Sequence, residues 1–200
     1  MQKSSAYDLF SDYEGTLVFP EISYKDWVLP RVEDKDKFLA EYEIKRNRSR
    51  SDGTPDAQAE YLNLYSKLLT LDDFRQISLK YTMNKAFTSW CKRFTKAHGY
   101  RSVKLTIITR GFAPIVKNYF ERYDAKSTLS SLGISLSTVI GSEPVMDKKG
   151  VLKEVASAIN SKRKYVRDGH VMLGDEKDEK EFSNYPYFVN LSKWMKSEDY

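Results

Sequence analysis

From Val103 onward the chain alternates short apolar runs with amphipathic helical stretches, and this alternation restricts its fold more than any other feature. Val103–Ile108 reads as a strand, Ala113–Tyr123 as a helix, Ser137–Ile140 as a strand and Gly150–Ser161 as a helix. His170–Leu173 and Phe188–Val189 read as the closing strands. Strand and helix in turn predict an α/β fold, a parallel sheet covered by helices. Tyr7–Phe10, apolar but too short to fold alone, is expected to join the same sheet.

Between that first strand and the alternating region the grammar is helical. Lys37–Ile44 is charged and amphipathic, and RSRSDGTP (Arg48–Pro55) reads as a loop by composition. Ala59–Leu69 places Leu62, Tyr65, Leu68 and Leu69 on one face. Thr70-Leu71-Asp72-Asp73 looks like a capping box opening a helix that carries Phe74, Ile77 and Tyr81. A further helix, Asn84–His98, stops at Gly99. The predicted organisation is an α/β core from residues 1–17 and 84–200, with residues 18–83 inserted as a helical unit. Lys193–Tyr200 reads as a frayed polar tail.

Composition removes several function classes. Of 200 residues 40% are hydrophobic, enough for a core, yet no apolar run approaches the ~18 residues of a membrane span. The N-terminus, Met1-Gln2-Lys3-Ser4-Ser5, lacks the apolar stretch of a secretory signal, so a cytoplasmic protein is expected. The charge of +5 is spread along the chain, and its densest cluster, Lys45 to Arg50, reads as a solvated loop; nucleic acid is not an expected partner. The single cysteine, Cys91, forbids an internal disulfide and sits in a helical pattern with Phe87, Trp90 and Phe94, as a packing residue. His98, His170, Trp27, Trp90 and Trp194 read as structural, Trp27 also as a possible substrate contact.

In parallel sheets ligands sit beyond the carboxyl ends of the strands. The first strand is followed by Asp12, Glu14, Gly15 and Thr16, the second by Thr109, Arg110 and Gly111, the third by Asp147, Lys148 and Lys149. Gly174, Asp175, Asp178 and Glu179 follow His170–Leu173. Asp12 and Asp175 are hard oxygen donors that suit one Mg2+, with waters and a phosphate completing its shell. Asp12 is placed to attack phosphorus, and Glu14, two residues on, to protonate the leaving oxygen and then activate water. Thr109 with the amides of Arg110 and Gly111 suits phosphoryl oxygens at a helix N-terminus, and Arg110 either clamps substrate or faces solvent. A lysine would stabilise charge on nucleophile and phosphate together.

The ordered set resembles the haloacid dehalogenase superfamily. Asp12-Tyr13-Glu14-Gly15-Thr16 is similar to its first motif, LTIITRG ending in Thr109 to its second, DKKGVLKEV to its third, and Gly174-Asp175 with Asp178 or Glu179 to its fourth. The resemblance implies a Rossmann-like core. It also implies an active-site lysine, taken as Lys149 with Lys148 and Lys153 as alternatives, and Mg2+ held by Asp12, the main-chain carbonyl of Glu14, and Asp175. Asp178 or Glu179 would be the supporting acid. A helical unit between the first two motifs resembles phosphoserine phosphatase and related small-metabolite phosphatases, where it forms a cap over the site. The implied activity is therefore hydrolysis of a small phosphomonoester through an aspartyl-phosphate. Transfer of the phosphoryl group to another acceptor, or a site retained for binding alone, are the alternatives. The phosphatases of the family ordinarily carry Asp where this chain has Glu14, one methylene longer. Substrate identity and oligomeric state are not legible.

Overall fold

The structure, a computed structural model, describes residues 6–99 and 102–198; Met1–Ser5 and the last two residues of the expected tail lie outside them. β1 (Tyr7–Ser11) leads through a turn into β2 (Val18–Pro20) and a mainly helical stretch of α1 (Tyr24–Val28), α2 (Lys35–Asp52), α3 (Pro55–Leu62) and α4 (Leu71–Leu79), which β3 (Tyr81–Met83) closes. Then come α5 (Lys85–His98), β4 (Val103–Phe112), α6 (Ala113–Glu121), α7 (Tyr123–Ser131) and β5 (Ile134–Met146). β6 (Leu152–Ser157), β7 (Met172–Gly174), β8 (Phe188–Asn190) and α8 (Leu191–Glu198) complete the chain.

Six strands form one sheet in the order β6-β5-β4-β1-β7-β8. All neighbours are parallel except β6, which runs antiparallel to the second half of β5. β1 therefore lies inside the sheet, between β4 and β7. Alternation along the strands divides the core. Leu9, Leu105 and Ile107 pack into the larger cluster with Ile115, Val116 and Tyr119 of α6, whereas Phe10, Ile108 and Met172 face a smaller one with Val166, Phe182 and Tyr185.

The stretch between β1 and α5 leaves and rejoins the sheet region through the antiparallel pair of β2 and β3. Asn84 ties the two ends. Its side chain donates to the Thr16 carbonyl (2.8 Å), its backbone N–H donates to the Leu17 carbonyl (2.9 Å), and its side-chain oxygen caps α5.

Several expected elements differ. α4 stops at Leu79, so Tyr81 lies in β3 rather than in the helix of Phe74 and Ile77. The helix expected over Ala59–Leu69 ends at Leu62, with a 3-10 turn to Tyr65. Residues 150–161 are not a helix. The Asp147 carboxylate accepts from the Lys149 and Val151 N–H groups (2.8 and 2.9 Å), Gly150 adopts φ +75°, and the chain reverses into β6. Leu152 and Val155 are the buried members of both a helical and a bulged-strand pattern, and the turn decides between them. The Arg48–Pro55 stretch is not all loop, because α2 runs to Asp52, with Arg48 paired to Asp52 (3.1 Å) and to Glu60 of α3 (2.7 Å). Nor is the tail frayed from Lys193: α8 packs against α5, where Arg93 lies over the Trp194 ring.

The capping box at Thr70 is present, and its Asp73 does more than cap. Its carboxylate also accepts from both terminal nitrogens of Arg31 (2.7 and 2.8 Å) and from the Trp27 indole (2.9 Å), joining α4 to the segment after α1. Burial opposes this charge, but Arg31, Trp27 and Thr70 outweigh it and hold the carboxyl well below the usual range. A depressed carboxyl stabilises the fold above its unfolded pKa and loses that contribution as pH falls. Asp73→Asn should therefore cost about 1–3 kcal/mol at pH 7, and the gap to wild type should narrow below about pH 4. Urea unfolding of both proteins at pH 7 and pH 3 measures this.

Candidate active site

Because β4, β1 and β7 are neighbours, their carboxyl ends bring three loops to one place. Asp12 follows β1, and its N–H donates to the Leu173 carbonyl of β7 (2.9 Å). Thr109 lies near the end of β4, where its hydroxyl accepts from the Gly111 N–H (3.0 Å), and Asp175 follows β7. Asp12, Glu14, Thr109, Arg110, Gly111, Lys162, Asp175, Lys177 and Asp178 line an open cleft of about 120 Å³.

The centre of the cleft is a buried charge cluster. Carboxylate oxygens of Asp12, Asp175 and Asp178 lie within 4.8 Å of one another. Lys162 reaches Asp12 Oδ1 and Asp178 Oδ1, each at 2.7 Å, with its own side chain 4% exposed. Burial works against the ammonium, but the two carboxylates outweigh it and raise its pKa. Burial pushes Asp12 up, offset only in part by Lys162. Asp178 is raised to about 6, by burial first and then by the charge of Asp12. One buried ammonium thus faces three carboxyl groups, and Asp178 Oδ2 is buried with no hydrogen-bond partner among the described residues. Arg110 and Lys177 approach only to 4.0 Å, of Asp178 and Asp175 respectively, and an all-oxygen cluster with a free buried acceptor fits a hard divalent cation such as Mg2+.

The matching fold is known from solved structures. Over 92% of this chain and 86% of the other, the structure is similar to a phosphoserine phosphohydrolase-like protein from Francisella tularensis subsp. tularensis SCHU S4, with a TM-score of 0.60 and 16% identity. The likeness is one of fold, an α/β Rossmann-like core with a mostly parallel six-stranded sheet. Cytosolic 5'-nucleotidase IIIB bound to cytidine is also similar, at TM-score 0.48 and 12% identity over 96% of this chain and 76% of that one. No family model and no curated protein matches the sequence.

Within this fold, Asp12, Glu14, Thr109, Arg110, Gly111, Asp175 and Asp178 come together, and two expected residues do not. Lys149 is exposed in the turn before β6 and does not line the cleft; Lys148 and Lys153 are exposed as well. Lys162 takes the position instead. The expected helix 150–161 is a hairpin strand, so the lysine at the start of the next loop is the one delivered to Asp12. An Asp147-to-Gly150 turn followed by AINSK was the signal available for it. Glu179 pairs with Lys193 (2.5 Å), away from the cluster. Arg110 donates to Glu181 (2.7 Å) and to the Asn160 carbonyl (3.2 Å), so its guanidinium is anchored by protein.

Glu181 itself was not legible. Besides Arg110 it accepts from Ser161 Oγ (2.8 Å), Arg163 N–H (2.8 Å) and Lys162 N–H, fixing the loop that carries the buried lysine. Gly15 supplies the other close constraint, with φ +82° and a position where a Cβ would lie 2.7 Å from Asp175 Oδ2. Gly15→Ala is expected to cost about 1–2 kcal/mol from backbone strain alone and to displace Asp175. Thermal unfolding reads the first effect; weakened Mg2+ affinity by calorimetry reads the second.

Proposed function

We propose that this protein is a Mg2+-dependent phosphatase of a small phosphomonoester, acting through an aspartyl-phosphate on Asp12. One observation carries the reading: a buried carboxylate at the end of the central strand is flanked by the Thr109–Gly111 turn, Lys162, Asp175 and Asp178 in one cleft. The likeness to a phosphoserine phosphohydrolase-like protein supports it as a fold. Mg2+, held by Asp12, Asp175 and the Glu14 main-chain carbonyl with Asp178 in support, would offset phosphate charge beside the nucleophile.

Asp12 must be ionised to attack, and the Lys162 ammonium favours that form within a buried setting. As the Asp12 oxygen bonds to phosphorus, the ester oxygen leaves with the bonding electrons and takes a proton from the Glu14 carboxyl group. Thr109, the Arg110 amide and Lys162 hold the phosphoryl oxygens, the Gly111 N–H being engaged by the Thr109 hydroxyl. Water then attacks phosphorus, Glu14 takes back the proton, and the bond to Asp12 breaks to release inorganic phosphate. Residues 18–83 form the cap in this reading, closing over the cleft and excluding bulk water. Gln58 of α3, which donates to the Arg110 carbonyl (2.9 Å), supports that role. The cytoplasm is the compartment this reading expects.

Phosphate release from an aryl phosphate and a panel of phosphometabolites, with Mg2+ or EDTA, tests the proposal. Asp12→Asn should remove turnover, Lys162→Met should lower it by at least about 100-fold, and Lys149→Met should leave it near wild type. Turnover retained in Asp12→Asn would refute the mechanism.

A further inference from the structure

Glu14 is clasped. Its Oε1 accepts from the hydroxyl of Tyr24 (2.9 Å) and from that of Tyr81 (2.5 Å), while Oε2 has no partner among the described residues and the side chain lines the cleft. The two donors come from opposite ends of the stretch between β1 and α5, one from α1 and one from β3. Both rings are held. Tyr24 lies against Tyr65 and Phe112, and its hydroxyl is 2.7 Å from where a Gly111 Cβ would be. Tyr81 is fully buried against Tyr13.

A glutamate where an aspartate would reach has one more rotatable bond, and an unrestrained carboxyl would be spread over several rotamers. We propose that Tyr24 and Tyr81 are positioning residues for Glu14: by engaging Oε1 they fix the longer side chain and present Oε2 to the leaving oxygen, fitting the site to phosphomonoesters of aliphatic alcohols. This rests on the phosphatase reading above. An aliphatic alkoxide is a poor leaving group and needs a proton as the P–O bond breaks, whereas 4-nitrophenolate departs without one. The proton goes from Glu14 Oε2 to the ester oxygen and is restored to Glu14 from the attacking water, so the clasp on Oε1 stays intact through the cycle.

The test compares an alkyl phosphate with 4-nitrophenyl phosphate for wild type, Tyr24→Phe, Tyr81→Phe, the double Phe variant and Glu14→Asp. Each single Phe variant should lose about tenfold or more in kcat on the alkyl phosphate while changing less than about threefold on the aryl phosphate, with KM little altered. Glu14→Asp should lower alkyl phosphate turnover in the wild-type background, since the shorter side chain forfeits the clasp, and cost little more in the double Phe background. A readout independent of turnover uses tyrosine labelled with 13C at Cζ: the Tyr24 and Tyr81 signals, assigned from the Phe variants, should move in Glu14→Ala. Signals that do not move would overturn the clasp. Equal losses on both substrates would overturn the positioning role, as would an unimpaired Glu14→Asp. Absence of wild-type turnover on every monoester would instead overturn the phosphatase reading, and the role of the clasp with it.

Discussion

A lysine ammonium buried between two carboxylates is the interaction on which the rest of the site depends. Removing a charge from water costs several kcal/mol per ion, and a pair repays this only with close geometry and further hydrogen bonds. Lys162 meets Asp12 and Asp178 at 2.7 Å each, which satisfies the first condition. The second is met only in part, by the Tyr13 backbone N–H that favours the Asp12 carboxylate. Asp178 Oδ2 is left without a partner among the described residues, and Arg110 and Lys177 stand at 4.0 Å from Asp178 and Asp175, outside hydrogen-bonding distance. A fold built only for stability gains little from such a place; an apolar trio would cost less. The arrangement makes sense as a site in which charge is kept in reserve.

That reserve is possible because the surrounding loops are pinned by groups from distant parts of the chain. The Thr109–Gly111 turn is held from above by Gln58 and from the side by Ser142, both donating to the Arg110 carbonyl (2.9 and 3.1 Å). The β5–β6 hairpin bonds to the segment before α4 through Leu152, which donates to the Leu69 carbonyl (2.8 Å) and accepts from the Lys67 N–H (2.7 Å). Asn84 joins the first loop to α5. Each of these contacts spans tens of residues in sequence, so the cleft draws on both the stretch between β1 and α5 and the sheet.

What the sequence made legible follows from range. The alternation after Val103 and the apolar character of Tyr7–Phe10 depend on local periodicity, and the parallel sheet that includes the first strand appears as expected; the place of that strand between β4 and β7 comes from the structure. Polar residues at strand ends were readable for the same reason, since once strands are placed the loops beyond them are known. Residues 150–161 show where this stops. Leu152 and Val155 fit either a helix or a bulged strand, and the choice is made by a turn at Asp147–Gly150 and by bonds to Leu69, more than eighty residues away in sequence. With that element misread, the lysine moves from Lys162 to Lys149. The tail fails similarly: a polar octapeptide has little helix-forming tendency of its own, and α8 exists because Trp194 and Leu191 pack on the core. Glu181 and the two tyrosines carry no motif at all, because their partners are set only by the tertiary fold.

Glu181 shows how the cationic side of the cleft is organised as a unit. Its carboxylate draws in the backbone of Lys162 and Arg163, the Ser161 hydroxyl and the Arg110 guanidinium, so one acid aligns the loop before β7 with the end of β4. Those donors outweigh burial and hold its carboxyl below the usual range, so it remains an anion that cannot be displaced without stranding four donors. Arg110 is thereby committed to protein, and its nearest approach to the acidic cluster, 4.0 Å from Asp178, is that of a neighbouring charge rather than a bonded partner. Lys162 is then the one cation bonded to Asp12 among the described residues. Any change in how that loop sits acts on Asp12 directly, which couples the stability of the Glu181 hub to the end of the central strand.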